Sequence, residues 1–271
     1  MRYPLLKALS AAVTAGALVL AGAAPALAAP EQPKPVTTSL GNDVSWPQCD
    51  SPLPKNAAFA VIGVTGGLAV DSNPCFADQL DWAEQATTGA TAQPSVALYV
   101  NTANPGRSAV WWPDSDRTRQ GTAVANPYGT CDGGEGAACA YVYGQSVALD
   151  DTTIRGVEDP SSYLWWLDVE TMNTWQWDRG ANRAVLEGMV DHFHGIGAEV
   201  GLYSTALQWM WIAGRPDEDS NLNGLPSWLA GADSAADARK MCTTAAPLTA
   251  DGTVAMVQFI AKGLDYNVSC R

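Results

Sequence analysis

Apolar runs alternate with amphipathic stretches along this chain at the spacing of β/α units, and that pattern restricts the fold more than any single motif. Residues 59–64 (Phe-Ala-Val-Ile-Gly-Val) are apolar on both faces, as a central strand of a helix-covered parallel sheet must be. Residues 95–100, 163–169, 199–204, 228–230 and 254–259 read as further strands, and 41–46 as a short first one. Residues 76–86 and 182–196 read as helices, the second stopped at Gly195 and Gly197. Residues 146–149 are a weaker segment that could begin another helix. Strands and helices alternating over residues 41–271 predict one α/β domain, a closed barrel of TIM type in which the later strands lack full helices. No internal repeat or interdomain linker is present. Residues 107–159, rich in Gly, Asp and Trp, read as an insert of loops decorating one rim.

The strand at Leu164-Trp165-Trp166-Leu167-Asp168-Val169-Glu170 ends in two carboxylates. Side chains alternate faces along a strand, so Asp168 and Glu170 project to one side and Val169 to the other. Two adjacent carboxyl groups do not both ionise freely; one proton stays at a raised pKa, as a general acid near neutral pH requires. A lone Asp-x-Glu is more often a helix cap or ion-pair partner. Here, however, the pair sits with Asp43 at the C-terminal ends of strands, where barrel enzymes place their chemistry. Pairs of carboxyl groups flanking a bond are the working parts of glycoside hydrolysis.

Residues 1–28 read as a secretory signal. Arg2 and Lys7 form a basic start, an apolar run follows, and Ala26-Leu27-Ala28 supplies the cleavage site. Residues 29–40, with Pro30, Pro33 and Pro35, read as a disordered leader. No later run approaches the roughly 20 apolar residues of a membrane span, so a secreted, extracellular, monomeric protein is expected. Loss of Arg2 and Lys7 takes the formal charge from −13 to −15. Such an acidic chain is repelled by nucleic acid and by anionic membranes or walls, so affinity for a wall must come from shape and stacking. Cys49, Cys75, Cys131, Cys139, Cys242 and Cys270 fit three disulfides in an oxidising compartment. Neighbour pairing is the simplest arrangement, although sequence alone does not select it.

Other chemistry has little support. There is no His-Glu-x-x-His, no Gly-x-Ser-x-Gly and no Cys-x-x-Cys. His192 and His194 are two apart on a helix and so point to different faces. No metal site and no organic cofactor are expected. Eleven tryptophans suit a groove that holds sugar rings through their apolar faces, although tryptophan is also a frequent core residue. Trp46, Trp166, Trp175 and Trp228, near strand ends, are the candidates; Trp111 and Trp112 are expected to be exposed. Asn267-Val268-Ser269 is a formal glycosylation sequon.

Several segments together, in order along most of the chain, resemble glycoside hydrolase family 25, the lysozymes (muramidases) of peptidoglycan. They are Gly41-Asn42-Asp43-Val44-Ser45, residues 59–62 with Thr65-Gly66-Gly67, Leu167-Asp168-Val169-Glu170, residues 200–204, Pro226-Ser227-Trp228-Leu229-Ala230, and Gln258 onward to Asp265-Tyr266-Asn267. The resemblance implies an irregular (β/α)-barrel of five β/α units and three further strands, in a divergent secreted branch. It also implies Glu170 as catalytic acid, Asp168 as partner carboxylate, Asp43 and Asp265 as further acids of the cleft, and a polysaccharide partner. Tyr99, Tyr203 and Gln258 join the tryptophans as groove candidates. Two departures stand out. Gly63-Val64-Thr65-Gly66-Gly67 replaces the usual Lys-Ala-Thr-Glu-Gly, and Tyr99-Val100-Asn101 replaces Tyr-His-Phe. An inactive glycan-binding protein of the same fold, or a hydrolase of another polysaccharide, therefore stays open beside a muramidase.

Overall fold

The computed structural model describes residues 39–86, 89 and 91–270. The expected signal segment 1–28 and most of the leader 29–40 lie outside the described residues. The strands are β1 Leu40–Val44, β2 Ala60–Gly63, β3 Val96–Asn101, β4 Leu164–Asp168, β5 Glu199–Ser204, β6 Pro226–Ala232, β7 Thr253–Ala261 and β8 Leu264–Ser269. The helices are α1 Phe76–Ala86, α2 Ala137–Thr153, α3 Arg179–Gly195, α4 Ala206–Ile212 and α5 Ala235–Thr244, one after each of β2 to β6. The eight strands pair in chain order and close into a barrel. β1 to β7 run parallel; β8 is antiparallel to both β7 and β1 and seals the seam. This is the expected irregular barrel: five strands carry helices and three do not.

The final strand, β8, is absent from the strands read off the sequence. It arises from a two-residue hairpin, because Ala261 pairs with Leu264 while Lys262 and Gly263 both adopt positive φ (54° and 74°). That combination makes the turn whose twist matches a hairpin. The reversal returns Asp265 to the rim where the parallel strands end, paired with Asp43 of β1.

Strand alternation divides the core in two. Trp165, Leu167 and Val169 face outward into the layer beneath the helices. Phe59, Val61, Ala97, Trp166, Tyr203, Trp228 and Met256 fill the barrel interior. Trp166 fits because Gly201 lies beside it on β5, where a Cβ would come 2.3 Å from the indole ring.

The stretch 107–159 is more than rim loops. It contains α2, a 17-residue helix, of which residues 146–149 are only one turn. α2 packs backbone to backbone against α3: a Cβ on Gly144 would lie 2.0 Å from the Val185 carbonyl oxygen, and one on Gly188 2.3 Å from that of Tyr141. α2 is buried on most sides, so it lacks the polar face by which a sequence betrays a helix. Trp112 is likewise a packing residue, tilted against Tyr143 at 5.1 Å with its indole donating to the Gly134 carbonyl. Trp111 is half-buried. Just beyond α2, Arg155 pairs with Asp151 (2.6 Å) in a buried ion pair. It also donates to the Ala69 carbonyl and Ser72 Oγ, fixing the loop after β2.

α3 begins at Arg179, three residues before the expected start, because Asp178 caps it by accepting from Gly180 N and Ala181 N. The disulfides are the neighbour pairs. Cys49–Cys75 joins the turn after β1 to the approach to α1, Cys131–Cys139 holds the loop against α2, and Cys242–Cys270 ties α5 to the end of β8. Among the described residues no helix is long and apolar enough to cross a membrane.

Candidate active site

A groove of about 430 Å³ opens at the rim where β1 and β3 to β7 end and where β8 begins. Its walls include Asp43, Trp46, Tyr99, Asn101, Asp168, Glu170, Tyr203, Trp228, Gln258 and Asp265. All four carboxylates expected from the sequence therefore meet in one place.

Asp168, the last residue of β4, points inward and is buried. One oxygen, Oδ2, accepts from the side-chain amide of Asn101. That amide is aimed by Thr65, whose Oγ1 donates to Asn101 Oδ1 (2.9 Å) and accepts from Asn101 N (2.8 Å). The other oxygen, Oδ1, is buried with no hydrogen-bond partner among the described residues. Burial first, and the neighbouring Glu170 second, hold this carboxyl well above the usual carboxylate range; the Asn101 amide opposes them. Asp168 is the more buried of the two acids.

Glu170 lies past the end of β4, half-buried and open to the groove. Its Oε1 accepts from Gln208 Nε2 of α4 (3.3 Å), and its carbonyl from the Trp175 indole (2.8 Å). Gln208 Oε1 accepts from both Thr171 N (2.6 Å) and Thr171 Oγ1 (2.8 Å). Gln208 of α4 therefore holds both the Glu170 carboxylate and the next residue of its loop.

Asp43 is satisfied at both oxygens. Oδ2 accepts from Gln258 Nε2 (2.9 Å) and Oδ1 from Asn267 Nδ2 (2.6 Å). Tyr203 OH donates to Gln258 Oε1 and the Trp228 indole to Asn267 Oδ1, both at 2.8 Å. Burial and the Asp265 charge push Asp43 up to about 7 against those two amides. Asp265, less enclosed, is also raised by burial.

Of the aromatic candidates, Trp46 is 49% exposed at the groove edge, and Tyr99, Tyr203 and Trp228 line its floor. Trp228 packs on Tyr203 at 4.3 Å and edge-on to Tyr99 at 6.2 Å. Two expectations are corrected. Trp166 is fully buried beneath Trp228, in the barrel interior. Trp175 faces a neighbouring cavity with Trp177 and Trp211. Asn101 and Asn267 were absent from the site residues read off the sequence. Asn101 stands in a segment noted only as a departure, and Asn267 in a sequon and at the end of the last resembling segment. Fully buried and bonded to Asp43, Asn267 offers no surface for a glycan.

The departure at Gly63 has a steric origin: a Cβ there would come 2.6 Å from Ser45 Cβ and 2.7 Å from the Tyr99 ring. Tyr99 occupies the space a longer side chain would need. Among the described residues no cluster of three or more His, Cys, Asp or Glu side chains could hold a metal ion.

A family model for lysozyme-like protein 1 matches residues 161–238, which hold Asp168, Glu170, Tyr203 and Trp228 but not Asp43 or Asp265. A probable GH family 25 lysozyme 4 from Dictyostelium discoideum is 37% identical over 68 residues, 25% of this chain and 30% of that protein. The muramidase structure from Trichobolus zukalii superposes with a TM-score of 0.50 at 17% identity, covering 86% of this chain and 93% of the other. The chain carries a GH25-like domain. Lysozyme-like protein 5 of Caenorhabditis elegans is 43% identical over 49 residues, 18% of this chain and 22% of that protein. The chain thus matches less than a third of either relative's length, and the structural likeness bears on the fold. In the GH25-like domain the locally similar part, β4 to the start of α5, is the part that presents the acid pair.

Proposed function

We propose that this protein is a secreted glycoside hydrolase of muramidase type, cleaving the glycan of peptidoglycan with retention of configuration. The observation that carries the reading is the pairing of Asp168 and Glu170. One carboxylate is buried, held at one oxygen and unpartnered at the other; the second lies two residues on, at the open groove. An unsatisfied buried acceptor costs about 1–3 kcal/mol, and a donor on the substrate would remove that cost.

An N-acetylated sugar brings such a donor, the N–H of its acetamido group. With that N–H on Asp168 Oδ1 and Asn101 on Oδ2, ionised Asp168 is stabilised. Glu170, as general acid, gives a proton to the glycosidic oxygen as the bond to the leaving sugar breaks. The acetamido carbonyl oxygen bonds to the anomeric carbon from the opposite face, and Asp168 stabilises the positive charge that spreads onto the amide. Water then attacks the anomeric carbon and gives its proton to Glu170, and the amide is restored. Two inversions give net retention. Direct attack by Asp168 gives the same stereochemistry, but the oxygen left free to receive an N–H favours the assisted route.

A second reading, a glycan-binding protein without activity, rests on the end of β2 and the loop after it, where glycine stands at 63 and 66 in place of the family's Lys and Glu. Release of reducing ends from purified peptidoglycan separates the two. The hydrolase reading requires release by the chain lacking residues 1–28 and its loss, by about 10²–10⁴-fold, in Glu170→Gln. Sedimentation with the wall polymer without any release supports the binding protein instead.

A further inference from the structure

Outside the groove, two tryptophans from different elements meet at the surface. Trp177, in the loop between β4 and α3, is 92% exposed, and Trp211 of α4 is 58% exposed. Their rings lie 5.9 Å apart at 64°. Leu207, Met210 and Trp211 share the outer face of α4 and are exposed, while Trp209 and Ile212 face the core. Two converging indoles in open solvent are an unusual expense for a soluble chain and mark a contact surface.

We propose that Trp177 and Trp211 form a non-catalytic saccharide platform that takes a stretch of glycan strand lying outside the groove. The proposal rests on the reading of the groove as a glycan site. Three observations select a saccharide as the occupant. First, the cavity beside the rings, about 330 Å³, is lined by Trp175, Gln176, Trp177, Arg179, Trp211 and Ile212. Aromatic faces fringed by an amide and a guanidinium suit a sugar ring. Second, Arg179 is the only charged residue of that lining, in a chain of net charge −13. Its Nε donates to the Trp211 carbonyl (3.1 Å), which fixes the guanidinium beside the rings. The nearest acid in sequence, Asp178, is engaged in capping α3. A glycan meets a lining with one cation and no acid there, whereas a second copy of the chain would bring the same strong negative charge.

Third, the platform is wired to the groove. Trp175 donates to the Glu170 carbonyl, and Gln208 of α4 bonds both Glu170 and Thr171. The loop carrying Glu170 therefore continues into the platform, and α4 supports both. A polymer much longer than the groove would pass from one to the other.

The test compares wild type with Trp177→Ala, Trp211→Ala and the double variant. Sedimentation onto insoluble peptidoglycan is measured beside hydrolysis of a short soluble N-acetylated oligosaccharide that fits the groove alone. The platform predicts wall affinity about tenfold weaker in the double variant and unchanged hydrolysis of the short substrate. Trp177, being almost wholly exposed, can be replaced without touching the core, so that single variant preserves the test if the double variant folds poorly. Equal wall binding by all four proteins, or none by wild type, overturns the platform while leaving the groove reading to stand on the short substrate. Weaker wall binding with no hydrolysis by any protein keeps the platform and removes the hydrolase. Concentration-dependent association of wild type, abolished in the double variant, would make the pair a subunit contact and overturn the proposal.

Discussion

At the scale of single residues, Asp168 depends on a neighbour that carries no charge. Asn101 holds one of its oxygens and is itself aimed by Thr65. A hydrogen bond to a charged group contributes about 1.5–3 kcal/mol. Asn101→Ala is therefore expected to lower kcat by about 10–100-fold, with little change in KM. The amide opposes the burial that raises Asp168, so its loss raises that carboxyl further. Because the ionised form is needed, the acidic limb of the rate profile should move to higher pH in Asn101→Ala. A profile lowered uniformly, without displacement, would give Asn101 a structural role only. Strand alternation sufficed to put Asp168 and Glu170 on one side. It could not say which would be enclosed, because enclosure comes from β3 and from Thr65, distant in sequence from β4.

At the scale of elements, the central contact outside the barrel is α2 against α3. Gly144 and Gly188 let the two backbones touch, so a single methyl group at either position must displace a helix. Gly144→Ala is expected to destabilise the fold by about 1–3 kcal/mol, although alanine favours an isolated helix. Denaturant unfolding checks this: a midpoint unchanged or raised would mean that the helices do not meet at Gly144. The same contact explains why α2 was hidden in the sequence. A helix buried against barrel and helix alike has no polar stripe. α1 and α3, each with an exposed face, were legible from their periodicity. The loop at 107–136 likewise gave no signal that Trp112 would turn inward, since Tyr143, on which it packs, belongs to the part of α2 outside residues 146–149.

At the scale of the whole molecule, alternation of strands and helices was enough to forecast a barrel. The strand that seals it, β8, was not legible, because it depends on a hairpin turn with two positive φ angles at Lys262 and Gly263. The Cys242–Cys270 bridge secures this last strand across a separation of 28 residues. Replacing both cysteines by serine should cost about 3–4 kcal/mol, read as a lower thermal midpoint. Stability should also depend on pH through the enclosed acids. Asp43 has a folded value of about 7 against an ordinary 3.8, so the folded state binds its proton more tightly than the unfolded one. That contribution is complete below about pH 4 and is lost as pH rises through 7. Asp168 is raised as well and acts in the same direction. Calorimetric midpoints are expected to fall between pH 5 and 8, and Asp43→Asn should flatten that slope. A midpoint that rises across the interval would contradict the enclosure of these acids.

In the proposed mechanism Glu170 supplies the proton and Asp168 stabilises the charge that follows. This division of labour is checked with a 2,4-dinitrophenyl glycoside of an N-acetylated oligosaccharide, whose leaving group departs without protonation. On this substrate Glu170→Gln should recover bond cleavage that it lacks on peptidoglycan, while Asp168→Asn should remain impaired on both. Full cleavage by Asp168→Asn, or equal loss in both variants on the activated substrate, would contradict the assignment.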